Sequence, residues 1–236
     1  MIKNNKKIPW DYDGILTNKN IKFDELVEYI IEKNNLNKND WINEIKQNEK
    51  GQLFTNESPT LRTLMWNRGI TVNDIKKYKE IDWCYDLLSS NCNMSWDFVM
   101  ENIDKNWDWQ MLFSRPTNTW DEIKNFGSLI FEDFDENNIL NNFNKSTVMW
   151  ISQNPNISWD IISNNLHEKW NWDSVTINPN ITMKIINDNP DKLWNKNVMY
   201  ENKNISFEDL RNNNIEITEF QKYEKMFGFH GDCFDF

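Results

Sequence analysis

The stretch Asn154 to Asn180, NPNISWDIISNNLHEKWNWDSVTINPN, closes on the words with which it opens, and the chain then begins the same phrase again. It is one unit of a tandem repeat, and a fixed period of this size marks a repeat architecture. Aligned on Ile157, the equivalent positions are Ile181 and Ile205 downstream and Asn118, Met94 and Ile70 upstream. Neighbouring equivalents lie 24 residues apart, except Asn118 and Ile157, which lie 39 apart.

Each unit has the grammar of two short capped helices. In the first, Ile157 precedes the cap Ser158 and Ile162 follows four places into the helix. The hydroxyl is placed to accept from an orphaned amide of the first turn, and the two isoleucines to pack across it as a hydrophobic staple. The pattern recurs as Ile181, Thr182, Ile186; Ile205, Ser206, Leu210; Met94, Ser95, Val99; and Ile70, Thr71, Ile75. Asp74, Glu122 and Asp209, each three residues after its cap, complete capping boxes. The second helix repeats the device with tryptophan as the outer staple: Trp170, Asn171, Val175; Trp107, Asp108, Leu112; Trp194, Asn195, Met199; and Trp83 with Leu88. Asn178 and Pro179 stop it, because proline lacks an amide and disfavours helix in the residue before it.

A unit this small does not stand alone. Ordering a residue's backbone costs roughly 1–2 kcal/mol, while burying a large apolar side chain returns about 1.5–3 kcal/mol, and a unit has few of those. The sequence contains no alanine and is rich in asparagine, so helix propensity is poor and packing between neighbours must supply the stability. The expected fold is all-α, a solenoid of ~24-residue two-helix repeats.

The pattern weakens toward both ends. Trp10, Tyr12, Ile15 and Ile21 match Trp170, Trp172, Val175 and Ile181, so residues 1–69 read as degenerate N-terminal repeats, with a helix from about Lys22 to Lys33. Asp40 to Lys46 and Pro59 to Trp66 read as further helices, separated by a loop over Gln47 to Ser58. Residues 70–132 are regular repeats. Phe131 falls where the period places an outer staple, so the extra 15 residues of the long spacing are expected after it, giving an insertion or irregular helix over 133–153. Regular repeats resume over 154–212, and 213–236 is an aromatic C-terminal capping tail.

Composition bounds the function. A net charge of −11 with a pI near 4.7 argues against non-specific nucleic-acid binding, which depends on lysine and arginine neutralising phosphates. Cys84, Cys92 and Cys233 are odd in number and show no paired spacing, which suits a reducing compartment. No segment approaches the ~18 apolar residues of a membrane span. The Asn-x-Ser/Thr triplets at Asn93, Asn156, Asn180 and Asn204 each end on a helix cap, which explains them without glycosylation.

The phrases NPNISWDII, KWNWDSV and INPNITMKIINDNPDKLW resemble the short asparagine- and tryptophan-rich tandem repeats of giant, mimivirus-like nucleocytoplasmic large DNA viruses that infect amoebae. The resemblance covers Ile70 to Leu210 well and the remainder loosely. It implies a viral source and a location in the host cytoplasm or the virion. It brings no catalytic residues to transfer.

Chemical motifs are few. His230, Asp232 and Cys233 are a conceivable partial metal site, and Cys84 at a helix cap is a conceivable reactive thiol, against plainer structural roles for both. The column Asp24, Asp97, Asp121, Asp160 and Glu208 is either a charged ladder for a basic partner or a set of carboxylates favoured by the helix dipole, and the dipole is the simpler account. No phosphate loop, nucleophile elbow or zinc spacing is present. The reading is therefore non-enzymatic, with no cofactor and no metal: a protein–protein interaction scaffold, with a carbohydrate- or ligand-binding module as the alternative. The tryptophans after the first cap (Trp96, Trp120, Trp159) and those of the outer staple recur as a core requires. The column two residues after the staple varies, so its aromatics Tyr12, Tyr85, Trp109 and Trp172 are the candidate binding residues.

Overall fold

The computed structural model describes residues 21–33, 37, 39, 40 and 67–227. Among them all regular secondary structure is helical. The degenerate repeats before Ile21, the expected helix over Asp40 to Lys46 apart from Asp40, the helix over Pro59 to Trp66, the loop over Gln47 to Ser58 and the tail from residue 228 lie outside the described residues. The chain divides into two compact units, 1–112 and 113–236.

The first unit contains α1 (Phe23–Lys33), α2 (Val72–Lys77), α3 (Tyr85–Leu88), α4 (Trp96–Glu101) and α5 (Trp109–Phe113), whose last residue begins the second unit. Helix α1 docks on the segment that follows α2 through Phe23, whose ring meets Tyr78 edge-on at 5.5 Å and Trp83 at 5.4 Å. Above this contact Asp24 accepts from Lys77 Nζ at 2.7 and 2.6 Å and from the Tyr78 hydroxyl at 2.7 Å. Burial, then that hydrogen bond, pushes the Tyr78 phenol well above its ordinary value, so it stays a donor.

The second unit contains α6 (Trp120–Ile130), a 3-10 helix over Ile139–Asn142, α7 (Lys145–Ser152), α8 (Trp159–Asn164), α9 (Trp172–Ile177), α10 (Met183–Asp188), a 3-10 helix over Met199–Glu201, α11 (Phe207–Asn212) and α12 (Glu219–Phe227). The caps fall where the sequence places them: Thr71, Ser95, Thr119, Ser158, Asn171, Thr182 and Ser206 each accept from the amide three residues on. Asp74, Glu122 and Asp209 close full capping boxes. The staple residues Ile70, Ile75, Met94, Val99, Ile157, Ile162, Ile181, Ile186, Ile205 and Leu210 are all buried.

Two segments depart from expectation. Phe131 does not open a second helix; α6 runs 11 residues and Phe131 is its C-cap. Gly127 makes this possible, because the Phe134 ring folds back over the place where a Cβ would sit. The outer staple is Phe143, buried before the cap Asn144, with Val148 as its inner partner. The supposed irregular stretch 133–153 thus ends in a regular helix, and the extra residues are shared among α6, the 3-10 helix and α7. The second exception is Met199, which begins a three-residue 3-10 helix where an α-helix was expected. Asn195 Oδ1 accepts from the amide of Asn197 at 3.0 Å, and this tight local turn competes with the helical cap.

The asparagines three residues before Met94, Ile157, Ile181 and Ile205 do more than end a helix. Asn178, fully buried, donates through Nδ2 to the carbonyls of Ser152, Asn154 and Ile157 at 3.0, 3.1 and 3.1 Å. Asn202 repeats this one period on, donating to Thr176, Asn178 and Ile181 at 2.9, 3.1 and 3.0 Å. Asn154 donates to Arg115 and Asn118 at 3.1 and 3.0 Å, and in the first unit Asn91 donates to Ile70 at 3.1 Å. Each of these side chains also closes its own turn: Oδ1 accepts from the amide two residues on, at 2.8 Å in Asn154, Asn178 and Asn202 and at 2.9 Å in Asn91. A second file runs beside the first, with Asn93 reaching Arg68, Asn156 reaching Pro116, Asn180 reaching Pro155 and Asn204 reaching Pro179.

Two further bonds recur with the period. The indole of each outer staple donates to a carbonyl five residues earlier: Trp83 to Tyr78, Trp107 to Asn102, Trp170 to Asn165 and Trp194 to Asn189, at 3.1, 2.9, 2.8 and 2.7 Å. The hydroxyls of Ser89, Ser152 and Thr176 accept from the amides of Asp108, Asn171 and Asn195, 19 residues on, at 2.9, 3.0 and 3.1 Å.

The ladder gives a direct test. Asn178→Asp keeps the turn acceptor and aims an oxygen at three carbonyl oxygens. A buried polar group left unsatisfied costs about 1–3 kcal/mol, and more when charged, so Asn178→Asp is expected to lose about 3 kcal/mol or more in urea unfolding and to be less stable than Asn178→Ala. A midpoint unchanged from wild type in both variants would mean the ladder contributes nothing to stability.

Candidate functional site

The variable aromatic column occupies the first turn of the second helix in each repeat. Trp172 opens α9, one residue past the cap Asn171, and meets Trp194 of the next repeat edge-on at 5.3 Å. Trp159, the first residue of α8, packs on the same Trp194 at 5.4 Å. All three tryptophans are half-buried, so together they form an aromatic cluster with one side to solvent. Leu193, beside Trp194 in the chain, is 71 % exposed. Next to the cluster Asn195 Nδ2 donates to Asp173 at 2.6 Å.

Tyr85 makes the same contact in the first unit, meeting Trp107 edge-on at 5.0 Å, and Phe98 meets the same indole edge-on at 6.2 Å. Burial raises the Tyr85 phenol, partly opposed by Lys105, so its hydroxyl stays protonated. Trp109 opens α5 and is half-buried. Tyr12 lies outside the described residues. Tyr85 and Trp172 are therefore tied to the following repeat's staple while keeping an exposed edge, a dual position that sequence variation alone did not resolve.

The other candidates take structural positions. Cys84 caps α3 without a side-chain bond to its amides, and its thiol donates to Asp86 at 2.6 Å. Of the acidic column, Asp24 pairs with Lys77 and Asp121 with Lys124 at 2.8 Å, while Asp97, Asp160 and Glu208 face solvent. Among the described residues no three of His, Cys, Asp and Glu gather as a metal site would require. His230, Asp232 and Cys233 lie outside them.

The sequence reading missed Glu168. Its side chain is 0 % exposed, and its two oxygens accept from the amides of Ile139 and Leu140 at 2.8 and 2.9 Å. Those amides open the 3-10 helix whose own cap position, Asn138, gives no side-chain bond. Glu168 thus caps from 29 residues away the segment that breaks the period. His167 Nε2 lies 3.7 Å from the same carboxylate and is itself exposed. No signal in the sequence marks this role, since an acid in a turn between helices reads as solvated surface.

No protein-family model, no curated protein and no solved structure matches the chain. No helix of the described residues is long and apolar enough to cross a membrane.

Glu168 is testable. Hydrogen bonds to a charged partner contribute about 1.5–3 kcal/mol each, so Glu168→Ala is expected to lower stability by about 2 kcal/mol or more. Amide exchange at Ile139 and Leu140 should rise before that of α9. Exchange that rises uniformly along the chain would deny Glu168 its local capping role.

Proposed function

We propose that the chain is an all-α solenoid of 24-residue repeats acting as a non-enzymatic scaffold for protein–protein interaction. The observation that carries this is the half-exposed cluster of Trp159, Trp172 and Trp194 with Leu193 standing out beside it. Rigid aromatics held by their neighbours are the side chains that dominate interface energetics. The recurring bonds between residues 24 apart support the solenoid, since each repeat draws its hydrogen-bond partners from the one before. The resemblance to giant-virus repeats leads us to place the protein in that source, as a virion component or a host-directed factor in the host cytoplasm.

A carbohydrate-binding module would use asparagine amides on sugar hydroxyls. The amides of Asn154, Asn178 and Asn202 already donate to main-chain carbonyls inside the fold, which favours the protein partner. The acidic balance favours a partner face that is apolar at its centre and basic at its rim.

The test pairs two variants. Leu193→Glu should leave the melting temperature unchanged, because the side chain is exposed, and should abolish co-purification of the partner captured by the tagged wild type from its native source. Trp172→Ser should lose capture and also melt lower, because it supports Trp194. Capture undiminished in both variants would refute this surface.

A further inference from the structure

The chain seats its own ammonium groups on aromatic rings, each time with an oxygen acceptor beside the ring. Lys76 Nζ stands 5.9 Å over Phe98 and pairs with Glu101 at 3.4 Å. Lys77 Nζ stands 5.3 Å over Tyr78 and pairs with Asp24 at 2.6 Å. Lys225 Nζ stands 6.0 Å over the Phe207 ring of α11 and donates to the carbonyls of Tyr200 and Asn202, both at 2.8 Å. Burial pulls Lys225 below its ordinary pKa, as expected of an ammonium held against main-chain carbonyls.

The cluster of Trp159, Trp172 and Trp194 has the same two parts and lacks the cation. Its ring contacts are with one another, and among the described residues no lysine or arginine of the chain stands over any of the three. Trp172 stands at 85° to Trp194 and Trp159 at 41°, so the rings are walls at different inclinations rather than one flat platform. Tryptophan is the ring that attracts a cation best, and walls of this kind are how aromatic sites hold one.

The acceptors follow directly in the chain. Asp160 comes after Trp159 and Asp173 after Trp172, each roughly 3.8 Å on between Cα atoms. Both are exposed, and among the described residues neither pairs with a cation: Asp173 accepts only from the neutral amide of Asn195. The lysines of the same stretch are otherwise placed. Lys184 pairs with Asp188 and Lys192 with Asp191, Lys169 precedes the buried Trp170 of the repeat before, and Lys196 stands in the column whose members Tyr85 and Trp172 serve the following repeat's staple.

We propose that the cluster takes a lysine or arginine side chain of an extended basic segment on a protein partner, with the charged head on the tryptophan walls beside Asp160 and Asp173 and an apolar neighbour on Leu193. This rests on the reading of the cluster as a partner surface and names what that surface selects. Charge complementarity supports it, since an acidic chain draws basic segments and this patch adds carboxylates without cations of its own. An exposed ion pair alone contributes little, so the ring faces are what convert general attraction into a site, and tryptophan with arginine is a recurrent pairing at the centre of interfaces.

The probe is the peptide N-acetyl-(Leu-Arg)3-amide, with its citrulline counterpart as the neutral isostere. Each is titrated into the full chain at about 0.15 M salt, which screens long-range attraction, and the indole N–H signals are followed by NMR, those of Trp159 and Trp172 assigned from their phenylalanine variants. The arginine peptide should move these two signals and the citrulline peptide should not. Asp160→Asn combined with Asp173→Asn should weaken the arginine peptide about fivefold at an unchanged melting temperature, whereas removing two exposed charges elsewhere, Glu132→Gln with Asp133→Asn, should not. The comparison of the two peptides needs no variant, so it stands even where a substitution disturbs the fold. Indole signals that ignore the arginine peptide overturn the proposal, and so do equal shifts with both peptides, which would mean apolar docking only. Equal weakening by the remote pair overturns it as well, since attraction to net charge would then suffice. Native-partner capture lost in Leu193→Glu while the arginine peptide leaves the indoles unmoved would keep the surface and remove its cationic occupant; capture that persists in both Leu193→Glu and Trp172→Ser removes the surface itself.

Discussion

A chain folded into helices of about six residues consists almost entirely of helix ends, and ends are where main-chain groups go unmet. Each end leaves about four amides or four carbonyls without an intrahelical partner, so in α8, α9 or α10 nearly every peptide group is in question. Buried groups of this kind must be satisfied or the fold loses more than its few staples return. The buried asparagine answers both sides at once, because its carboxamide is an acceptor and a two-proton donor in one rigid plane. In Asn178 the oxygen closes the turn onto Asn180 while the nitrogen serves three carbonyls of the preceding repeat. Aspartate lacks the donor, serine lacks the reach, and glutamine brings another rotor. The asparagine richness of the sequence is therefore a requirement of short helices stacked closely, as well as any bias of composition.

The tryptophans complete the same task. Their rings supply the large buried area a repeat without alanine and with few leucines needs, and their indole N–H groups are spent on carbonyls at the end of the first helix. Each ring also receives the preceding repeat: Trp120 lies against Trp170 at 5.3 Å and Trp159 against Trp194 at 5.4 Å, the same contact in successive repeats. Trp170 is buried and Trp194 is only half so. The exposed cluster is thus a core contact of the repeat left partly open, which explains how one ring can be both support and surface.

Capping and staples were legible because they are local: a hydroxyl, an acid three residues on and two flanking apolar residues determine a helix start whatever surrounds it. The asparagine ladder was visible as recurrence, at 91, 154, 178 and 202, but the same residue is also ordinary turn punctuation. What separates the two roles is a partner 24 residues away, which no local pattern displays. The region after Asn118 failed for a related reason. Period alone put a staple at Phe131, but α6 continues because Gly127 admits Phe134 against its side, and the staple passes to Phe143, which packs with Phe113 at 4.9 Å. Glu168 was beyond reach, since the amides that donate to it belong to a segment 28 and 29 residues away. For the candidate site, the sequence found the column but not its contacts. Tyr85 and Trp172 vary in identity while keeping an edge on the next tryptophan, so variation reflected tolerance at a half-buried position.

The ladder has a direction, and its ends must therefore differ. Every rung is a side-chain donor reaching back to acceptors earlier in the chain, so a first rung is left with a donor to place and a last rung with carbonyls to satisfy. Asn67, at the ladder position of its repeat, has the one buried side-chain donor without a partner among the described residues. At the other end the carbonyls of Tyr200 and Asn202 cannot call on another asparagine. A lysine is the economical substitute: it is a donor with no acceptor, so it ends the series, and its long stem lets a helix of different orientation supply it. The ammonium must then give up water, which accounts for the direction of its pKa.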